Sequence, residues 1–388
     1  MHQYYPFSAM VGQEKLKTAY LVNIINPKIG GLLISGPKGS GKSTLVHSAS
    51  NILPEIEVID QCFFNCDPNN SDHWCTLCRE DSSDKKSANK KMKVISVPLS
   101  CSEDRLIGSI DIEKLMKKGI KSVQPGLLGE ANRNILYIDE INLLPDHLVD
   151  DILDSAALHW NTIQRERLSI IHPSEFVLIG TMNPEEGDLR PQILDRLSLC
   201  VKVKTSDNPD NRVEIVKRNL WFEQNPIQFI NHFEVQEKQL TKLINRAKKS
   251  LNCTKIPENF ISAISKACIE LKVDGHRPDI VIIKTSQAIA SLNQRDTVSQ
   301  EDILISADLS LCHRTRDGGL LEPASEQEIT DIFNKYLKSV KSKSSSEMFI
   351  PEDLSSMDQN QDKFQNIVEN KISSPQNKTS PSESKKKD

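Results

Sequence analysis

Aromatic residues make up only 5% of the 388-residue chain, glycine numbers 15 and proline 19. That scarcity excludes collagen-like and wholly low-complexity architectures. No apolar run reaches the 18 or more residues that a membrane-spanning helix needs, so no membrane span is expected. The opening MHQYYPFSAMVGQEKLK lacks the basic start and apolar stretch of a secretory signal, which points to a cytoplasmic protein. Charge of one sign is also lacking: 49 Lys plus Arg against 53 Asp plus Glu leave a net charge of -4. Such a balance provides no electrostatic footprint for nucleic acid. Nine cysteines, an odd number, fit thiols in a reducing compartment better than a disulfide framework.

What is present is alternation. Short β-branched-rich runs at 32–35, 94–98, 135–138, 176–180 and 200–203 recur between helical patterns, which predicts an α/β fold with a parallel five-stranded sheet. After about Asp207 the strand signals fade. The segments 213–222, 234–251, 258–271, 279–292 and 299–311 carry amphipathic periodicity and predict a C-terminal helical-bundle domain. Ser299 with Asp302 three residues on approximates a capping box, and Pro257-Glu258 marks another helix start. The expected division is a nucleotide-binding α/β domain at 1–206, a helical domain at 207–340 and a disordered polar tail at 341–388.

Gly36-Pro37-Lys38-Gly39-Ser40-Gly41-Lys42-Ser43-Thr44 matches G-x-x-x-x-G-K-[ST] directly after the first run and before a helical stretch. In that setting glycines let backbone N–H groups close on phosphates. Lys42 reaches the β- and γ-oxygens, and the Ser43 hydroxyl ligates Mg²⁺. The cofactors expected are therefore ATP and Mg²⁺. Ile135-Leu136-Tyr137-Ile138 delivers Asp139 and Glu140 at the carboxyl end of a strand, where open α/β sheets bind ligands. Asp139 suits the Mg²⁺ shell and Glu140 the deprotonation of the attacking water. The run at 176–182 ends at Asn183, which is placed to bond the γ-phosphate or the water, although Asn-Pro is by itself a turn signal.

The order of these motifs resembles the AAA+ ring ATPases, and among them the ATPase subunit family of magnesium chelatase. The likeness is carried by Phe7-Ser8-Ala9-Met10-Val11-Gly12-Gln13-Glu14, by the lead 25–31 into the P-loop, by Asp146-His147-Leu148-Val149-Asp150 and Leu153-Asp154-Ser155-Ala156-Ala157, and by the stretches 160–166, 185–196 and 274–277. The resemblance implies an AAA+ P-loop fold, an arginine finger at Arg196, with Arg190 the lesser candidate, and a sensor-2 arginine at Arg277. Segments 103–126 and 160–173 resemble the family's helix-2 insertion and its hairpin before sensor 1. The partners implied are further copies in a ring, hexameric in the family, an integrin-like-domain adaptor and a large porphyrin-binding subunit. The activity implied is ATP-driven metal insertion into a tetrapyrrole, protoporphyrin IX if magnesium is the ion. A MoxR-like chaperone that matures metalloenzymes is the alternative.

One segment departs from the photosynthetic members of that family. Cys62, Cys66, Cys75 and Cys78 follow C-x₃-C-x₈-C-x₂-C within a loop-like stretch at 62–78. Four thiolates suit Zn²⁺ or an iron–sulfur cluster, with His73 a substitute ligand, while reduced or redox-active thiols are the other reading. Cys101, Cys200, Cys253, Cys268 and Cys312 are expected to be packing residues.

Overall fold

A computed structural model of the chain describes residues 3–81, 85–111, 122–165, 168–187, 189–205, 207–341 and 348–349. The centre of the expected helix-2 insertion, 112–121, the hairpin tip 166–167 and Asp188 lie outside the described residues. So does the tail beyond Lys341, apart from Met348 and Phe349.

The chain begins with helix α1 (Glu14–Ile25), strand β1 (Leu32–Ser35), helix α2 (Lys42–Ser48) and strand β2 (Glu55–Ile59). Helix α3 (Thr76–Glu80), strands β3 (Ser87–Lys91) and β4 (Val94–Val97), and helix α4 (Glu103–Ile107) follow. Next come β5 (Gly108–Asp111), β6 (Ser122–Pro125), α5 (Leu127–Glu130), β7 (Ile135–Ile138) and α6 (Asp146–Leu158). Strands β8 (Trp160–Arg165), β9 (Leu168–Pro173) and β10 (Val177–Met182), helix α7 (Pro191–Arg196) and strand β11 (Leu199–Lys202) complete the first half. From there the structure is helical: α8 (Pro209–Gln224), α9 (Pro226–Ser250), α10 (Glu258–Glu270), α11 (Arg277–Leu292), α12 (Gln300–Leu311) and α13 (Glu326–Lys341).

Strands β11, β1, β10, β7 and β4 form one five-stranded sheet in that order, and every pairing in it is parallel. Strands β1, β7 and β10 are buried along their whole length, as expected when both faces of a parallel sheet are covered. Alternation then divides the side chains. Leu32, Ile34, Tyr137 and Ile179 face α1 and α2 in one apolar cluster, whereas Leu33, Leu136, Ile138 and Leu178 face Leu148, Ile152 and Leu153 of α6 in another. The helical region joins the α1 side, where Ile244, Val281 and Ile289 enter the cluster that holds Leu16 and Tyr20. Its own core gathers Ile264, Ile303, Ile329, Phe333 and Leu337.

The five expected strands and five expected helices occur at their positions with ends shifted by up to four residues, except that the helix expected from 234 begins eight residues earlier, at Pro226. Three further features had not been read. Helix α1 is largely buried, so its apolar residues are not confined to one stripe. Helix α13 buries Ile329, Phe333 and Leu337 at intervals of four beneath an otherwise charged surface. The stretch around the four cysteines is framed by an antiparallel pair, β2 with β3, whose lysines and glutamates hide any strand pattern. Cys253 is exposed and is therefore not a packing residue, because Leu251–Cys253 forms a 3₁₀ turn with no buried residue. Cys200 and Cys268 are buried, and Cys101 and Cys312 are half-buried.

At the start of α12 the Ser299 hydroxyl accepts from Asp302 N at 3.3 Å and the Asp302 carboxylate accepts from Ser299 N at 2.8 Å. Arg295 grips the same carboxylate at 2.7 and 2.6 Å. Ser299→Ala removes one half of this reciprocal cap and is expected to cost about 1 kcal/mol, read as a lower denaturant midpoint at unchanged slope.

Candidate active site

The turn between β1 and α2 is shaped by what a side chain cannot occupy. A Cβ on Gly36 would sit 2.6 Å from the Val203 carbonyl, and Gly39 and Gly41 adopt φ of +76° and +80°. These glycines let the loop close tightly, and Gly41 leads directly into α2, whose first residue is Lys42. The Lys42 ammonium donates to the carbonyls of Gly36 and Pro37 at 2.6 and 2.8 Å, so it lies inside the curve of the loop. Burial lowers its pKa, opposed by the carboxylates of Asp139, Glu140 and Glu186. Lys38 pairs with Glu186, so the segment after β10 closes over the loop's outer side.

The parallel register β1–β10–β7 brings the second motif beside the first. Ser35 pairs with Met182 and Gly180 with Ile138, so the residues just beyond β7 and at the end of β10 emerge together. Asp139 accepts from the Ser43 hydroxyl at 3.2 Å, the Tyr137 phenol at 2.7 Å and the Thr181 hydroxyl at 2.5 Å. Burial raises its pKa, but the three hydroxyl donors and the Lys42 charge outweigh this and hold the carboxyl below its ordinary value. Asp139 therefore stays ionised to lower pH than a free carboxyl would. Glu140 sits in the left-handed region at φ 52°, and its backbone N–H donates to the Thr181 hydroxyl at 3.1 Å. Thr181 thus holds the Asp139 carboxylate and the backbone of Glu140, a role not legible in the sequence. The signal for it is the pairing of β10 with β7.

Asn183 is buried, and its side-chain oxygen accepts from Glu185 N at 3.3 Å, which caps the turn Pro184–Glu186. The turn reading of Asn-Pro holds, and the cap engages only the side-chain oxygen of Asn183. Arg196, at the end of α7, pairs with Asp154 of α6 at 2.8 Å. Arg190 lies 3.1 Å from Asp146 and 3.6 Å from Asp150. Arg277 opens α11, and its guanidinium donates to the Arg196 carbonyl at 3.0 Å, so the two arginines carried over by resemblance sit together.

A cavity of about 650 Å³ adjoins the loop, lined by Tyr5, Met10, Val11 and Gln13, by Gly39 to Gly41 and Thr44, and by Val203, Asn211, Ile215 and Val216. Its size and apolar walls suit a nucleotide base. Gln13 ties the entry segment to the loop by donating to the Ser40 carbonyl at 2.8 Å. Around it, Tyr5, Ala9, Phe229 and Phe233 form an aromatic cluster with Trp221 and Phe222, and Arg218 donates to the Ala9 carbonyl at 2.9 Å. Helices α8 and α9 are thereby tied to the wall of the cavity. These positions carry no motif, and sequence reasoning had no means of grouping them.

The donor set fits a magnesium–triphosphate pair. Ser43 and Asp139 are hard oxygen donors that already converge, and the glycine-lined loop leaves room for phosphate oxygens. When bound, magnesium neutralises charge on the β- and γ-oxygens. Lys42 and the α2 N-terminus supply positive charge on the other side. Glu140 follows Asp139 at the carboxyl end of β7, beside the loop that would hold the phosphates.

A P-loop joined to a strand-borne Asp-Glu pair, a parallel sheet with β1 between β10 and β11, and a helical region after the sheet together define an ATPase of the AAA+ class. Residues 6–193 match the family described as magnesium chelatase, subunit ChlI, and residues 261–333 match the AAA lid domain. A magnesium-chelatase subunit ChlI homologue of Methanocaldococcus jannaschii is 47% identical over 339 residues, covering 87% of this chain and 92% of that protein. The magnesium-chelatase subunit ChlI of Cyanophora paradoxa is 43% identical over 335 residues, covering 85% and 96%. A crystal structure of a Cytophaga hutchinsonii protein, 17% identical, superposes with a TM-score of 0.54 over 88% of this chain and 92% of that one, which speaks for the fold alone. The chain belongs to the ChlI family of magnesium-chelatase subunits. These relatives favour the chelatase-type reading over the MoxR-like alternative. Among the described residues no helix is long and apolar enough to cross a membrane.

Removing the Thr181 hydroxyl tests the geometry. Thr181→Val keeps the strand but withdraws the shortest bond to Asp139, and it is expected to raise the Mg²⁺ concentration for half-maximal ATPase activity by about 10-fold. An unchanged magnesium titration would show that Asp139 needs no such support. Lys42→Ala is expected to abolish binding of a fluorescent ATP analogue. Glu140→Gln is expected to bind it normally yet hydrolyse ATP at least about 100-fold more slowly.

Proposed function

We propose that this chain is the ATP-hydrolysing motor subunit of a chelatase-type complex that drives a divalent metal ion into a tetrapyrrole. The observation that carries the reading is identity of 43–47% to ChlI proteins sustained over 85–87% of the chain. The likeness thus runs through the P-loop, both insertions and the helical region. The ion and the macrocycle are substrates of the complex, and magnesium, cobalt and nickel are each compatible with the motor chemistry. A cytoplasmic setting belongs to the same reading, since thiols persist in reducing compartments.

ATP binds with its base in the cavity beside Val11 and Ile215 and its phosphates along the 36–44 loop. Asp139 and Ser43 hold the magnesium, Asn183 Nδ2 orients the attacking water or the γ-phosphate, and Glu140 takes the water's proton. Charge that builds on the γ-phosphate requires a permanently charged, planar donor. Arg196 serves that role from a neighbouring copy in a ring: on its own chain it is half-exposed and paired with Asp154 rather than with the carboxylates of the site. Because Arg277 is bonded to the Arg196 carbonyl, the two arginines move as one surface. Hydrolysis is then coupled to the orientation of the helical region that carries α11. The resulting motion reaches an adaptor with an integrin-like domain and a large porphyrin-binding subunit, partners implied by the family.

Mixing variants tests the shared site. Arg196→Ala and Glu140→Gln should each be nearly inactive, yet equal amounts mixed under exchange should recover about a quarter of wild-type turnover, the share of random interfaces that keep both groups intact. Failure to recover any activity, or full activity in a dilute monomer, would refute the shared site. ATP-dependent loss of free-base porphyrin fluorescence on adding the partner subunits tests the chelatase assignment.

A further inference from the structure

The four cysteines of the 62–78 segment are brought together by the fold in a way their spacing alone does not require. One pair flanks the turn after β2, and the other flanks the first turn of α3. All four are buried, and their sulfur atoms lie within 4.8 Å of one another. A single tetrahedral ion with metal–sulfur bonds of about 2.3 Å places its sulfurs about 3.8 Å apart, which lies within the observed limit. A four-iron cubane, with four metal atoms between its ligands, needs a more open set of sulfurs. His73 is not in the converging group, and its ring lies 5.9 Å from that of Trp160.

Backbone donors already point at three of the sulfurs. Phe64 N reaches Cys62 Sγ at 3.4 Å, Cys75 N reaches Cys66 Sγ at 3.2 Å, and Cys78 N reaches Cys75 Sγ at 3.4 Å. Donors of this kind stabilise thiolate charge and orient ligands toward a cation. The shell outside them is apolar, with Ile59, Phe64, Ile110, Val123, Ile163 and Ile170 packed against the thiols. Four protein thiolates fill the coordination of a tetrahedral ion and leave no open position for water or substrate, which marks a closed structural site. A cleft of about 380 Å³ bordered by Cys62, Cys75, Cys78 and Lys85 provides an entry path.

The shell also shows what the segment supports. Ile110 and Val123 belong to β5 and β6, and Ile163 and Ile170 to β8 and β9, two antiparallel hairpins. The Thr76 hydroxyl, at the start of α3, donates to the Ile171 carbonyl at 3.1 Å and accepts from Ile171 N at 3.0 Å. Phe64 stacks on His172 at 4.3 Å, and the Arg79 guanidinium lies 5.6 Å from the centre of the Trp160 ring.

We infer that Cys62, Cys66, Cys75 and Cys78 hold one Zn²⁺ in a closed tetrathiolate site that fixes the footing of both hairpins. The inference rests on these residues alone and stands whether or not the chelatase reading does.

The test uses the full-length protein purified with zinc present and without chelator. Elemental analysis is expected to find about one zinc per chain, in a colourless sample that gains the intense visible bands of a tetrahedral cobalt–thiolate on exchange with Co²⁺. Cys66→Ser and Cys75→Ser should each lose the zinc while binding ATP analogue within about twofold of wild type, which shows that the P-loop half remains folded. In these variants hydrogen exchange at 168–173 should accelerate by at least about 10-fold, and exchange in α11 should not change. A brown sample with stoichiometric iron and sulfide, zinc well below one per chain with four titratable thiols or two disulfides, or unaltered exchange at 168–173 in a zinc-free variant would each overturn the proposal.

Discussion

Asp139 accepts hydrogen bonds from Ser43, Tyr137 and Thr181, and through this carboxylate three segments distant in sequence are held in register at one end of the sheet. Ser43 stands at the start of α2, Tyr137 on the strand that carries Asp139 itself, and Thr181 on the strand between that one and the P-loop strand. Three hydroxyl donors and an ammonium around this carboxylate favour its anion over its acid form. That preference places a negative charge opposite the N-terminus of α2. The arrangement is unfavourable for phosphate unless a cation lies between, and so the chemistry of magnesium and triphosphate follows from the packing of β1, β10 and β7.

The same constraint explains why the arginines lie elsewhere. The carboxyl end of the sheet holds Asp139, Glu140, Glu185 and Glu186, and Lys38 and Lys42 are its cations. Arg196 and Arg277 instead share a hydrogen bond at the junction of α7 and α11, and the buried Arg314 holds the preceding residue, Asp195, through both its carbonyl and its carboxylate. Under the proposed ring arrangement, Arg196 of a neighbouring copy would complete this carboxylate-rich site, and assembly would then be part of catalysis.

The sheet strands were legible because they are short runs rich in apolar and β-branched residues, with β1, β7 and β10 buried along their whole length, and the P-loop was legible because its backbone geometry demands glycine at fixed positions. Lys42, Ser43, Asp139 and Glu140 could be assigned candidate roles because their motifs are contiguous. Thr181 could not, since its importance arises from strand pairing, and the cavity beside Val11 and Ile215 could not, since its walls come from the entry segment, the loop, β11 and α8. The pair β2–β3 escaped notice because its exposed lysines and glutamates mask the alternation. Helix α13 was overlooked because three apolar residues four apart are easily lost among charges.

The position of the four-cysteine segment bears on the stretch of chain between the carboxylate motif and Asn183. Helix α6 begins six residues after Glu140 and runs directly into β8, while β9 leads within a few residues into β10, which carries Thr181 to the phosphate site. The β8–β9 pair is therefore inserted in the chain between the carboxylate motif and Asn183. On the sheet side the pair is held by Ser155 and Ser174, whose hydroxyls bond at 2.7 Å, and by Asn161, which lies 3.0 Å from His172. On the outer side it rests on Phe64, Thr76 and Arg79, residues of a segment with no long helix or broad core of its own. A small element of that kind holds its shape through cross-links rather than buried area. Four thiols drawn within reach of one ion supply that cross-link, beside the strand pair that leads into β10 and Thr181.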